Sequence, residues 1–247
     1  MADLSGKRAL VTGGARGIGA AIARRLAQDG ADVAVTYVSR PDAAEAVVQE
    51  IEATGRRGFA LRADAADVEA SARAVDEAAE RLGGLDILVA NAGVADFRPV
   101  GGEGWLASFQ RTFAVNVHGV AAAADAAARR LPDGGRIVVI GSVNAERTPF
   151  PGASAYGASK AAVAGLVRGW ARDLGPRGIT VNVVQPGPVD TDLNPKDGEL
   201  APLIKPFLAI PAYAEGADIG ALVAYLVGPE ARYVTGAALT LDGGFLA

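Results

Sequence analysis

A phenol and an ammonium stand four residues apart in Tyr156-Gly157-Ala158-Ser159-Lys160. On a helix, that spacing puts both on one face, one turn above the other. A nearby cation favours the phenolate and lowers a tyrosine pKa from its reference of about 10. Tyr156 therefore reads as an acid or base usable near neutrality. Ser142, in Ile140-Gly141-Ser142-Val143-Asn144, follows a β-branched run and would sit where a substrate carbonyl lies. Composition explains why a tyrosine would take this work: the 247 residues include no cysteine and one histidine, His118. A thiol nucleophile, a disulfide framework, and thiolate or multi-histidine metal centres are excluded, so no metal is expected. Ser-His-Asp catalysis would depend on one residue.

A second constellation lies near the N-terminus. Thr12-Gly13-Gly14-Ala15-Arg16-Gly17-Ile18-Gly19 follows one β-branched run and precedes a helical stretch. Turns without side chains let the backbone approach a pyrophosphate, and the next helix offers free N–H groups and its positive dipole end. An NAD site wants an acid at the end of the second strand for the ribose 2′-hydroxyl. Here that stretch is Tyr37-Val38-Ser39-Arg40. Arg40, Ser39 and Arg16 suit a 2′-phosphate instead, since arginine binds phosphate bidentately and stays charged. NADP(H) is the expected cofactor. Asp64 is placed to bond an adenine amino group, and Asn91-Ala92-Gly93 would let the backbone run beside the ligand.

These residues need a scaffold that brings strand ends together. Runs over 8–11, 32–37, 58–61, 85–90, 136–140, 179–184 and 238–241 are near-continuous Val, Ile, Leu and Ala, as expected of strands buried on both faces of a parallel sheet. Helical stretches over 17–28, 42–54, 68–82, 103–115, 119–131, 156–174 and 214–227 alternate with them, which argues for βαβ units. No linker interrupts the series, so one domain over 1–247 is expected. The segment from Pro186 to Pro211 holds six prolines and little periodicity. A loop of that length is usually a lid, here about 187–213.

The ordered set Thr12-Gly13-x-x-x-Gly17-x-Gly19, Asn91-Ala92-Gly93, Asn116, Ser142, Tyr156-x-x-x-Lys160, Pro186-Gly187 and Leu241-Asp242-Gly243-Gly244 resembles the classical short-chain dehydrogenases/reductases over nearly the whole chain. The resemblance implies an α/β Rossmann-type fold, a doubly wound seven-stranded parallel sheet, and a homotetramer. It implies a catalytic tetrad of Asn116, Ser142, Tyr156 and Lys160. Ser142 would hold the carbonyl oxygen, Tyr156 would donate the proton, and Lys160 would hold the ribose hydroxyls and depress the Tyr156 pKa. Asn116 would hold a proton-relaying water.

The cofactor set on this reading is Gly13, Ala15, Arg16, Gly17, Ile18, Gly19, Tyr37, Ser39, Arg40, Asp64, Ala65, Asn91, Ala92, Gly93, Tyr156, Lys160, Pro186, Gly187, Val189 and Thr191. A mostly apolar substrate pocket would add Val94, Phe97, Asn144, Phe150, Leu193 and Phe207 to Ser142 and Tyr156. Two departures stand out: Ala90 replaces the first Asn of the family's Asn-Asn-Ala-Gly, and Pro211 to Asp218 replaces its usual approach to the helix after the lid.

The leading function is NADPH-dependent reduction of a small or medium ketone, reversible with the alcohol. A second is 3-oxoacyl-carrier-protein reduction, with Arg129 and Arg177 at positions resembling docking sites for an acidic partner. A third, of another class, is a nucleotide-binding or signalling protein, of the cyclic-dinucleotide type. His118, Trp105 and Trp170 read as packing residues, Ser159 as a neighbour of the catalytic pair without a direct role, and the charges from Asp67 to Arg81 as a solvated face. The formal charge of −4 argues against nucleic-acid and anionic-membrane binding. Neither a secretory leader nor a membrane-spanning run is visible, so a cytoplasmic protein is expected.

Overall fold

The computed structural model describes residues 2–247. The apolar runs form strands β1 (Arg8–Val11), β2 (Asp32–Tyr37), β3 (Gly58–Arg62), β4 (Ile87–Ala90), β5 (Arg136–Ile140), β6 (Thr180–Pro186) and β7 (Ala238–Leu241). They pair in parallel in the order β3-β2-β1-β4-β5-β6-β7. The order reverses between β1 and β4. That is the topological switch point of a doubly wound sheet, where the ends of neighbouring strands diverge and leave a crevice.

The helices are α1 (Gly17–Gln28), α2 (Pro41–Glu52), α3 (Val68–Leu82), α4 (Trp105–Phe113), α5 (Val120–Arg130), α6 (Ser154–Leu174), α7 (Ala201–Ile204) and α8 (Gly216–Val227). Successive strand residues point to opposite faces, so the strands feed two cores. Leu10, Leu88, Ile137 and Val139 pack under α3, α5 and α6 through Val75, Ala124 and Val163. Val11, Val35, Val89 and Val138 pack under α1, α2 and α8 through Ile22, Leu26, Ile51 and Val223. Each such fully buried aliphatic side chain contributes about 1.5–3 kcal/mol relative to exposure.

One expected boundary is corrected. The helices expected over 103–115 and 119–131 are joined by a π-helical turn, Ala114–Gly119, that carries Asn116. Gly119 lets that turn pack against the loop after β3, because a Cβ there would lie 2.0 Å from the Ala65 carbonyl oxygen. The lid region holds α7, a short 3₁₀ turn over Lys205–Phe207 and a bridge between Val189 and Ala214. Where the sequence departs from the family pattern, a capping box starts α8, with Glu215 N donating to Asp218 Oδ2 at 2.8 Å. The altered sequence still gives a well-anchored helix start.

Candidate active site

A cavity of about 510 Å³ opens at the carboxyl ends of the central strands. One end is the glycine loop between β1 and α1. Thr36 Oγ1 accepts from Gly13 N at 2.9 Å, and Asn91 Nδ2 donates to the carbonyls of Thr12 and Gly13 at 2.9 and 3.1 Å. A Cβ on Gly19 would lie 2.4 Å from both Asn91 Nδ2 and Gly13 O, so only glycine fits there. The first turn of α1 has no side-chain cap and no acid. Its free N–H groups therefore face the cavity with the positive end of the helix dipole. This cradle fits the pyrophosphate of a dinucleotide.

The adenosine end is bounded by Tyr37, Ser39, Arg40, Asp64 and Ala65. Arg16 is exposed there and enters no ion pair among the described residues, and Arg40 meets only Asp42, at 3.6 Å. Both guanidiniums stay available for a phosphate. Asp64 Oδ1 accepts from Ala66 N at 2.9 Å, which fixes the turn after β3.

At the opposite end, Ser142 ends the β5 turn and Tyr156 and Lys160 project from α6. Ser142 Oγ accepts from Asn144 N at 3.1 Å, which leaves the hydroxyl hydrogen free to point into the cavity. Lys160 is buried, and its Nζ donates to Ile140 O at 2.8 Å. Burial lowers the Lys160 pKa to about 8. Tyr156 moves opposite to the sequence expectation. Desolvation raises the phenol above its ordinary 10, and the adjacent Ser142 hydroxyl offsets this only in part. Lys160 Nζ lies 5.7 Å from the Tyr156 ring centroid and is held by a carbonyl, so it does not overcome burial. A phenol raised in this way stays protonated and is suited to donating.

Of the expected residues, Ala15, Gly17, Ile18, Ala92, Gly93, Val94, Phe97, Phe150, Pro186, Gly187, Val189, Thr191 and Leu193 also line the cavity, as does Asn144. Phe97 packs edge-on against Tyr156 and Phe150, each at 5.8 Å. One expected lining residue changes. Phe207 does not line this cavity; its ring turns instead to Phe245, at 5.9 Å, and Phe245 does line it.

Asn116 lies behind the wall. Its Oδ1 accepts from Val94 N at 2.8 Å, and Nδ2 donates to Val94 O and Ser159 Oγ at 2.9 and 3.0 Å. Both amide hydrogens are committed, so the Asn116 side chain has no donor left for a water. Sequence reasoning gave Ser159 no catalytic role, yet its Oγ donates to Tyr156 O at 2.7 Å and joins Asn116 to the Tyr156 turn. Gln185, buried on β6, was missed as well. With its amide nitrogen turned inward, it donates to Ser142 O at 3.0 Å and to Glu146 Oε1 at 3.3 Å. Nothing in the linear chain ties Gln185 to the site.

The family model described as enoyl-(acyl carrier protein) reductase matches residues 13–246. The chain belongs to the short-chain dehydrogenase/reductase family. It is similar to a short-chain dehydrogenase from Burkholderia cenocepacia whose crystal structure is a complex with NADP. That likeness has a TM-score of 0.97, at 55% identity, and covers 99% of this chain and 100% of that one. It is 46% identical to the cyclic-di-GMP-binding biofilm dispersal mediator protein of Escherichia coli, over 99% of both chains. It is also 40% identical to a hydroxynaphthalene reductase-like protein of Metarhizium brunneum, over 98% of this chain and 96% of that one. Among the described residues, no helix is long and apolar enough to cross a membrane.

Proposed function

We propose that the protein is an NADPH-dependent reductase of small or medium ketones, reversible with the corresponding alcohol. The observation that carries this reading is one continuous cavity. It joins the anion cradle, Arg16 and Arg40 to the Tyr156–Ser142 pair. NADPH, when bound, supplies a hydride. The chain's own residues do the rest. The backbone at Gly13 to Gly19 and the start of α1 hold the pyrophosphate, and Arg16, Ser39 and Arg40 hold the 2′-phosphate. The Ser142 hydroxyl donates to the substrate oxygen and fixes its position. Tyr156 gives its proton to that oxygen as negative charge develops. Lys160, held by the Ile140 carbonyl, bonds the ribose hydroxyls, and its positive charge favours the tyrosinate left behind. Phe97 and Phe150 keep water from the reacting oxygen.

Carrier-protein reduction is less well supported. Arg177 donates to the carbonyls of Ala128 and Leu131 and pairs with Asp133, while Arg129 pairs with Asp125. These arginines are engaged at helix ends rather than offered to a partner. The test is a panel of ketones with NADPH and with NADH, followed by nicotinamide absorbance. NADPH-dependent turnover of at least one ketone is expected, and none with tight NADPH binding would overturn the reading.

A second reading has one specific support, the cyclic-di-GMP-binding relative. A cyclic dinucleotide carries phosphates that Arg16 and the α1 cradle would hold in the same cavity. Displacement of bound NADPH by cyclic-di-GMP, seen as loss of nicotinamide fluorescence, would favour it. A cytoplasmic homotetramer belongs to the same proposal, and light scattering on the purified protein tests its mass.

A further inference from the structure

Three segments distant in sequence meet at one guanidinium beside the cavity. Arg147 lies five residues beyond Ser142, and its backbone N–H donates to Val143 O at 3.1 Å. Its base is therefore tied to the Ser142 turn. Its guanidinium stands 5.2 Å from the ring centroid of Phe207, on the lid, and 5.9 Å from that of Phe245, near the C-terminus. Nη1 also donates to the Phe245 carbonyl at 3.3 Å. Among the described residues, no carboxylate pairs with Arg147. Its polar and cation–π contacts therefore run to the lid, the C-terminal turn and its own loop.

The C-terminal turn is built to present Phe245 inward. Asp242 accepts from Gly244 N at 2.9 Å and Leu246 N at 3.0 Å, and Gly243 O accepts from Ile210 N of the lid at 2.8 Å. Phe245 is 3% exposed, packs with Val143 and Ile204, and forms part of the cavity wall. A cation within about 6 Å of a ring face is attracted by the ring quadrupole, and here one cation serves two rings that already touch edge to face.

We propose that Arg147 is a positioning residue that fastens the lid and the C-terminal turn to the Ser142 loop. It thereby sets Phe245 as a specificity-determining wall of the substrate cavity. The inference rests on the ketone-reductase reading for its kinetic consequence, though not for its structural one.

The test uses Arg147→Met, which keeps the stem and removes the charge and fork, alongside Arg147→Lys and Phe245→Ala. In Arg147→Met, KM for a ketone should rise about five- to tenfold while kcat stays within about twofold. NADPH affinity should be unchanged. Chymotrypsin should cut the full-length protein several times faster within 193–210. Arg147→Lys should restore most of the wild-type behaviour, and Phe245→Ala should reproduce the KM effect. Wild-type lid cleavage in Arg147→Met would overturn the proposal, as would an equal loss of NADPH affinity and thermal stability. If no ketone is turned over even by the wild type, the function reading falls. Cleavage rate and NADPH titration still decide the latch.

Discussion

The two ends of the cavity are built on different physical terms. At the glycine loop, backbone meets backbone: Gly19 has no room for a methyl group, and Asn91 braces the carbonyls of Thr12 and Gly13. Toward the lid, side chains form the wall, and Leu193 and Leu200 are 65% and 39% exposed. The first end recognises a ligand whose phosphates never vary, and any added atom there is costly. The second presents replaceable apolar surface, so its shape can change without disturbing the sheet.

The sharpest division between them is at the proton donor. Tyr156→Phe should lower kcat by about a hundred- to ten-thousandfold, the range for losing a positioned acid. NADPH binding should stay nearly intact by fluorescence titration. A parallel loss of cofactor affinity would merge two ends held here to be separate.

Gly19→Ala should act the other way. Its methyl group would need the space now filled by Asn91 Nδ2 and Gly13 O. Destabilisation of about 1–3 kcal/mol by thermal or denaturant unfolding is expected, as for overpacking, together with weakened NADPH binding.

A pH series tests Lys160. Its pKa of about 8 means the ammonium is lost as pH rises through that value. Ketone reduction should therefore fall about tenfold between pH 7 and pH 9, if the charge is needed. Stability should respond with the opposite sign. The folded pKa of about 8 lies below the ordinary 10.5, so across that window the unfolded chain binds more protons. This group's contribution therefore rises with pH and is lost as pH falls through about 8. Denaturant unfolding of wild type against Lys160→Met over the same window should show the difference shifting toward the wild type as pH rises.

The smallest effect belongs to the lid. Leu193→Ala should change stability by no more than about 0.5 kcal/mol, as at other exposed sites. The KM for a bulky ketone should still move a few-fold. A large stability loss would mean that the two ends are built alike after all.

Much of this was legible because it is local. Strand runs such as Leu85 to Ala90 announce burial on both faces, and the glycine loop carries its spacing on its surface. Tyr156 and Lys160 share a helix, so four residues of separation fix their common face. What was not legible depends on pairings across the fold. Arg147 and Phe245 are 98 residues apart, and Phe207 meets Phe245 rather than the cavity through a lid geometry that has no periodic pattern. A π turn leaves no mark in composition, so residues 116–118 read as a gap between helices. The Tyr156 pKa failed for another reason: charge proximity is visible along a helix, whereas desolvation depends on everything packed around it.

The amide of Asn116 does for Val94 what a neighbouring strand would do. It accepts from the Val94 N–H and donates to the Val94 carbonyl, the two bonds a ladder residue expects from its neighbour. β4 has already ended at Ala90, and the chain must peel away there to open the crevice. One side chain thus serves as a surrogate strand for the backbone at Val94, four residues beyond the end of β4. Asn116→Asp, identical in shape, would replace a donor with an acceptor facing the Val94 carbonyl. That repulsion would reach the substrate wall through Val94 itself.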